Sequence, residues 1–174
     1  MQSHGEGQKA SCQCGHVSFD IAGAPIVHAR CYCDSCRTAG RAFAEAGGAK
    51  SVVGDDGGTS LVLYRKDRIG FVRGGDALRE HRLTPASPTR RMVAACCGAP
   101  MFLEFTNGHW LSVYADRLAA PVGALEMRVM TADRPEGPAL PDDVPNYATH
   151  SARFMMRLLG AWVKMGFRRP QVAW

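Results

Sequence analysis

Short alternations of apolar and polar residues run through the first two thirds of the chain. His16–Ile21 alternates with the period of a half-buried strand, and Pro25–Ala29 is a short apolar run that feeds into Cys31. Thr59–Tyr64, Ile69–Val72, Ala77–Leu83, Met92–Ala95, Met101–Phe105 and Trp110–Ala115 read as further strands. Turn signals at Gly54–Gly58 and Gly74–Asp76 and a loop at Pro85–Pro88 separate them. Many short strands with regular turns predict a mainly β domain, a sandwich, tent or barrel of antiparallel strands, over about 11–134. Residues 1–10 are polar and read as a flexible leader.

The pattern changes at the C-terminal end, where 135–174 reads as a loop followed by a helix. Pro135–Pro145 is rich in proline and acidic residues. Phe154, Met155, Leu158, Leu159, Trp162, Val163 and Phe167 then recur at helical spacing, with Arg153, Arg157 and Lys164 mostly off the stripe. Thr149 or Ser151 is placed to cap the helix, Lys164, Arg168 and Arg169 suit its C-terminal dipole, and Pro170 is placed to stop it. Such a helix packs its apolar face on the domain or across a homodimer interface; a basic helix lying on a membrane surface is the alternative.

Composition narrows the class. With 174 residues, 46% hydrophobic and 21% charged, the chain is long and apolar enough to bury a core without disulfides. Its 21 Lys and Arg against 16 Asp and Glu give a net charge of +5. That is too weak and too scattered to argue for nucleic acid; only Arg90-Arg91 and Arg168-Arg169 stand out. No stretch approaches the ~18 apolar residues of a membrane span, and the first eleven residues lack the apolar core of a signal peptide. A cytoplasmic, reducing location is the default expectation. There, seven cysteines read as metal ligands or reactive thiols before disulfides.

The cysteines fall in three clusters: Cys12-Gln13-Cys14-Gly15, Cys31-Tyr32-Cys33-Asp34-Ser35-Cys36 and Cys96-Cys97-Gly98. Turns with thiolates two or three residues apart let two sulfurs converge on one ion, and zinc is the metal this ligand set suits. Seven divides as four plus three, so one or two zinc ions per chain are expected. Four ligands close a structural site; three leave an open position for water or a thiol. A ribbon with a single zinc site is the competing metal reading. His28, three residues before Cys31, and His109, in a turn before a strand, are further candidates near the site.

The text Ser11-Cys12-Gln13-Cys14-Gly15-His16-Val17, then Cys31-Tyr32-Cys33-Asp34-Ser35-Cys36-Arg37, then Cys97-Gly98-Ala99-Pro100-Met101 resembles the glutathione-dependent formaldehyde-activating enzyme (GFA) family. Thr38–Ala44 adds to the likeness, which spans about Cys12 to Leu118. The resemblance implies a zinc-bearing tent-like β fold and carbon–sulfur lyase activity of the S-hydroxymethylglutathione synthase kind. It implies Cys31, Cys33 and Cys36 as the reactive zinc site, and Cys12, Cys14 and Cys97 as the structural one.

One position departs from that pattern. The family's third cluster is usually C-x-x-C-G, which would put a cysteine at Ala94. Here the neighbours Cys96 and Cys97 would point to opposite faces of an extended segment. Either the loop bends and Cys96 is the fourth ligand, or the site holds three cysteines and something else, or it is empty.

Two main function classes follow. The first is a zinc-dependent protein that forms or breaks adducts between a small thiol such as glutathione and an aldehyde, with Arg37 beside the site to receive a ligand carboxylate. The second is a non-catalytic zinc module that binds a protein or peptide; a nucleic-acid ribbon is the least supported. Asp34 and Ser35 are expected to hydrogen-bond backbone and thiolates around the second cluster.

Overall fold

A computed structural model describes residues 7–47 and 49–174. Among them, β1 (Gln8–Ser11), β2 (Ser18–Ile21) and β5 (Ile69–Arg73) form a three-stranded sheet in the order β1-β2-β5. The remaining strands are β3 (Val27–Cys31), β4 (Thr59–Arg65), β6 (Leu78–His81), β7 (Thr89–Ala94), β8 (Ala99–Phe105), β9 (Trp110–Tyr114) and β10 (Met127–Val129). They form a seven-stranded sheet ordered β10-β3-β4-β9-β8-β7-β6. Every pairing is antiparallel except β10 on β3. Two helices complete the fold, α1 (Asp34–Glu45) and α2 (Ala152–Lys164).

The large sheet is the middle layer. On β4, Val62 and Tyr64 join Phe19 and Ile21 of the small sheet in one core, while Leu61 and Leu63 join Ala39 and Phe43 of α1 and Phe154 and Leu158 of α2 in a second. β9 divides likewise, Leu111 and Val113 to the first core and Tyr114 to the second. A strand covered on both faces reads as a nearly unbroken apolar run, which is how Leu61–Tyr64 reads. The mainly β reading from periodicity therefore holds, and so does the C-terminal helix.

Several details differ. Residues 1–6 of the expected leader lie outside the described residues, and Gln8–Ser11 is strand β1 rather than leader. Helix α1 and strand β10 were not expected from the pattern. Helix α2 begins on Ser151, whose hydroxyl accepts from the Phe154 amide at 3.1 Å. It ends at Lys164 with Met165 as its C-cap, and the left-handed backbone at Gly166 and Phe167 turns the chain three to four residues before Pro170. Of its apolar residues only Phe154, Leu158 and Ala161 are buried in the helix; Met155, Met156, Leu159 and Val163 stay exposed, as does Phe167 just beyond it. No helix among the described residues is long and apolar enough to cross a membrane.

Candidate metal centres and the cavity beside one of them

The first centre joins two hairpin turns. Cys12 and Cys14 lie in the β1–β2 turn, Cys96 and Cys97 in the β7–β8 turn. Their four Sγ atoms lie within 4.8 Å of one another. Cys12 Sγ is 3.6 Å from Cys14 Sγ and 3.7 Å from Cys96 Sγ, and Cys14 Sγ is 3.4 Å from Cys96 Sγ. Cys96 reaches the group because the segment is not extended. The amides of Cys97 and Gly98 both donate to Ala94 O, at 3.3 and 2.8 Å, and Gly98 takes φ of 68°. The loop bends, as the first of the three sequence alternatives requires. Burial alone would raise the Cys97 thiol, but backbone N–H groups of Cys14 and Ala99 outweigh it and hold the thiol at about 7.

The second centre sits where β3 hands over to α1. Cys31 is the last residue of β3, flanked by Thr59 of β4 and Val129 of β10. Cys33 is the N-cap of α1 and its Sγ accepts from the Cys36 amide at 3.4 Å. Cys36 lies in the first helical turn. The three Sγ atoms lie within 4.8 Å of one another. Hydrogen bonds from Cys31 and Cys36, the Cys36 amide and the charge of Arg91 draw the Cys33 thiol down to about 2. Cys31 is pushed up by its bonds to Cys33 and Cys36 and by burial. For Cys36 the bond to Cys31 pulls down, but the bond to Cys33 and burial carry it up to about 12. Either cluster could hold a metal ion, with four sulfur ligands in one and three in the other.

The loop before β4 braces this handover. Asp56 accepts from Tyr32 Oη at 2.7 Å and from the Gly58 amide at 3.0 Å, and it pairs with Arg30. Helix α1 packs close to the same loop: a Cβ at Gly40 would run into the Val53 side chain.

A cavity of about 290 Å³ opens on the three-cysteine centre. Its floor is the helix-facing side of the large sheet, and its roof is α2. Arg91 lines it at 1% exposure. Arg91 Nη2 donates to Ser35 Oγ at 2.7 Å and to Ser35 O at 3.1 Å. No carboxylate pairs with Arg91 among the described residues, so its charge is set against the thiolates of Cys33 and Cys36.

The other sequence candidates lie apart from the cavity. Arg37 does not line it: its guanidinium donates to Tyr32 O at 2.7 Å and to Asp133 O, and pairs with Asp34. That arginine ties α1 to the chain after β10. His28 lies on the other face of β3, with Nδ1 donating to Gly123 O at 2.7 Å and Nε2 accepting from Ser60 Oγ at 2.8 Å. His109 Nε2 donates to Leu158 O at 2.8 Å, under α2. Both histidines are held by structural partners. Arg91 was visible in the sequence only as half of a basic pair; its inward placement on β7 carried no local signal.

The family match covers all three cysteine clusters. The family model for the glutathione-dependent formaldehyde-activating enzyme matches residues 7–131. A solved structure of a Rhodobacter sphaeroides protein is similar over 79% of this chain and 98% of its own, at 16% identity and a TM-score of 0.47. No curated protein matches. With the model spanning all three cysteine clusters and most of the chain, this protein belongs to the glutathione-dependent formaldehyde-activating enzyme family.

Proposed function

We propose that the protein binds two zinc ions and, at the one held by Cys31, Cys33 and Cys36, forms or breaks adducts between a small thiol and an aldehyde. The observation that carries this reading is the contrast between the two clusters: four sulfurs gathered in one, three in the other with a cavity opening onto them. The ligand chemistry fits zinc. A tetrahedron with ~2.3 Å zinc–sulfur bonds has edges of about 3.8 Å, and the Sγ atoms of Cys12, Cys14 and Cys96 are 3.4–3.7 Å apart. Cys31, Cys33 and Cys36 would hold the ion, and a zinc bound there would supply a Lewis acid that favours the thiolate form of an incoming thiol.

The chain's own residues do the rest. Cys33, already the most acidic thiol of the trio, and its neighbours supply the anionic ligand set. Arg91 offsets the surplus negative charge of three thiolates on a divalent ion, in a buried setting where an unbalanced charge is costly. Ser35 fixes that guanidinium. The cavity walls beside the reacting sulfur are largely apolar. In the addition, a carbon–sulfur bond forms, the carbonyl π pair moves to oxygen, and that oxygen takes the proton the thiol gave up; the reverse releases both reactants. The four-cysteine cluster is structural in this reading. A reducing compartment such as the cytoplasm keeps the seven thiols free, and a second copy of this chain across the exposed side of α2 completes the expected partners.

The test is zinc content per chain for wild type, Cys33→Ala and Cys97→Ala, with adduct formation from formaldehyde and small thiols followed on the same samples. Loss of one zinc and of the activity in Cys33→Ala is expected. Wild type with two zinc ions and no adduct chemistry would instead support the non-catalytic module that binds a protein or peptide.

A further inference from the structure

We infer that the thiol used at the three-cysteine centre carries an apolar body, and that α2 is the wall that selects it. This rests on the thiol–aldehyde reading above and narrows it. A ligand whose sulfur completes the Cys31, Cys33 and Cys36 set has one place for the group attached to that sulfur: the cavity that opens there. The cavity is walled by Leu61, Leu63, Leu103 and Trp110 from the sheet and by Phe154 and Leu158 from α2. Its volume of about 290 Å³ suits a compact group.

Glutathione is a poor match for those walls. It carries two carboxylates and an ammonium, and each needs a partner when it leaves water. Arg91 is the one Lys or Arg side chain among the lining residues, and it is 1% exposed, bonded to Ser35 and set against the thiolates. Arg37 is committed to Tyr32, Asp133 and Asp34. The guanidinium of Arg91, whose Nε and Nη1 are buried without a hydrogen-bond partner, answers one carboxylate at most, and the second has only His150 at the solvent-exposed rim, whereas an aromatic or branched aliphatic group gains from burial against the Leu, Phe and Trp side chains of the wall. The roof has a further meaning. Phe154, Met155 and Leu158 lie beyond residue 131, where the family match ends. The three cysteines thus lie inside the family match, and this part of the wall lies outside it.

Isothermal titration calorimetry of the zinc-loaded protein with phenylmethanethiol and with glutathione tests this directly. Phenylmethanethiol is expected to bind ~10-fold or more tightly than glutathione, a difference of one decade in Kd. Met155→Glu alters a residue that lines the cavity yet is 53% exposed, so folding and zinc content should be kept. It is expected to weaken phenylmethanethiol by about 5-fold or more, because a carboxylate at the rim stays hydrated and disfavours an apolar neighbour. Glutathione binding as tightly as phenylmethanethiol, or Met155→Glu binding phenylmethanethiol like wild type, overturns the inference and leaves the thiol–aldehyde reading standing. If neither thiol binds, the thiol site itself fails and this inference with it.

Discussion

Cys96→Ala is the most informative single change, because Cys96 is where this chain departs from the usual third cluster. If Cys96 is a ligand, the four-cysteine centre clips the β1–β2 turn to the β7–β8 turn, and Cys14 to Cys96 closes a loop of 82 residues. In the chain-entropy treatment of a cross-link, a loop of that length stabilises the fold by about 4.5 kcal/mol at 25 °C. At roughly 2.1 cal/mol/K per residue, 174 residues give an unfolding entropy near 0.37 kcal/mol/K. Losing the clip should then lower Tm by about 12 °C. Cys33→Ala is the control. Its centre spans only Cys31 to Cys36, for which the same treatment gives about 2 kcal/mol, a drop roughly half as large. The assay is thermal unfolding by circular dichroism with metal content measured on the same samples. The expected result is one zinc lost in each variant and the larger Tm drop in Cys96→Ala. Cys96→Ala with two zinc ions and an unchanged Tm would refute Cys96 as a ligand, and the clip with it.

Three further predictions concern the frame around the site. Lys66 and Glu104 form an ion pair with side chains 1% and 2% exposed, and Arg90 also reaches Glu104 at 2.9 Å. Glu104→Gln leaves Lys66 buried without its carboxylate and should cost about 3–5 kcal/mol in denaturant unfolding, whereas Lys66→Met leaves Glu104 its arginine and should cost less; equal costs would contradict this. Asp56 loses solvation on folding, yet hydrogen bonds from Arg30, Tyr32 and the Gly58 amide hold its carboxyl down from 3.8 to about 2. A folded-state value below the unfolded one means this stabilisation is present above pH ~4 and fades as pH falls toward 2. Unfolding midpoints of Asp56→Asn should therefore fall less than those of wild type between pH 5 and pH 2.5, and parallel curves would count against it. Light scattering should give a dimer for wild type and a monomer for Met156→Glu, since Met156 is 64% exposed on the apolar side of α2; a wild-type monomer removes the second copy from the reading.

The strands could be read from the sequence because the large sheet is buried on both faces. Runs such as Leu61–Tyr64 and Leu111–Tyr114 then carry their own signal. Helix α1 carried none. Its cap is a cysteine rather than Ser, Thr, Asp or Asn, and its buried face is Cys36, Ala39, Gly40 and Phe43, only one of them large. The same cysteines that advertised a metal centre thus concealed the helix that builds it. Cys96 was ambiguous for a related reason. Alternation decides facing only in extended backbone; β7 ends at Ala94, and Cys96 and Cys97 lie in the turn that left-handed Gly98 closes before β8.

The cavity was beyond the reach of sequence reading, and the reason bears on function. Its lining is drawn from β3, β4, α1, β7, β8, β9, β10 and α2, so no window of sequence contains it. Helical periodicity marked Phe154 and Leu158 as apolar, yet it also marked Leu159 and Val163, which face out, and Met155, which sits half-exposed at the cavity rim. Which residues of α2 reach the sulfur site is settled by how the helix lies on the sheet. Ser151 fixes where that helix starts, and the His109 bond to Leu158 O fixes how it sits. A change at His109, far from any cysteine in the sequence, should therefore alter the ligand preference of the three-cysteine centre while leaving its zinc in place. His109→Phe keeps an aromatic ring but loses the bond to α2. Matching thiol affinities in that variant and in wild type would show that the roof is held by packing alone.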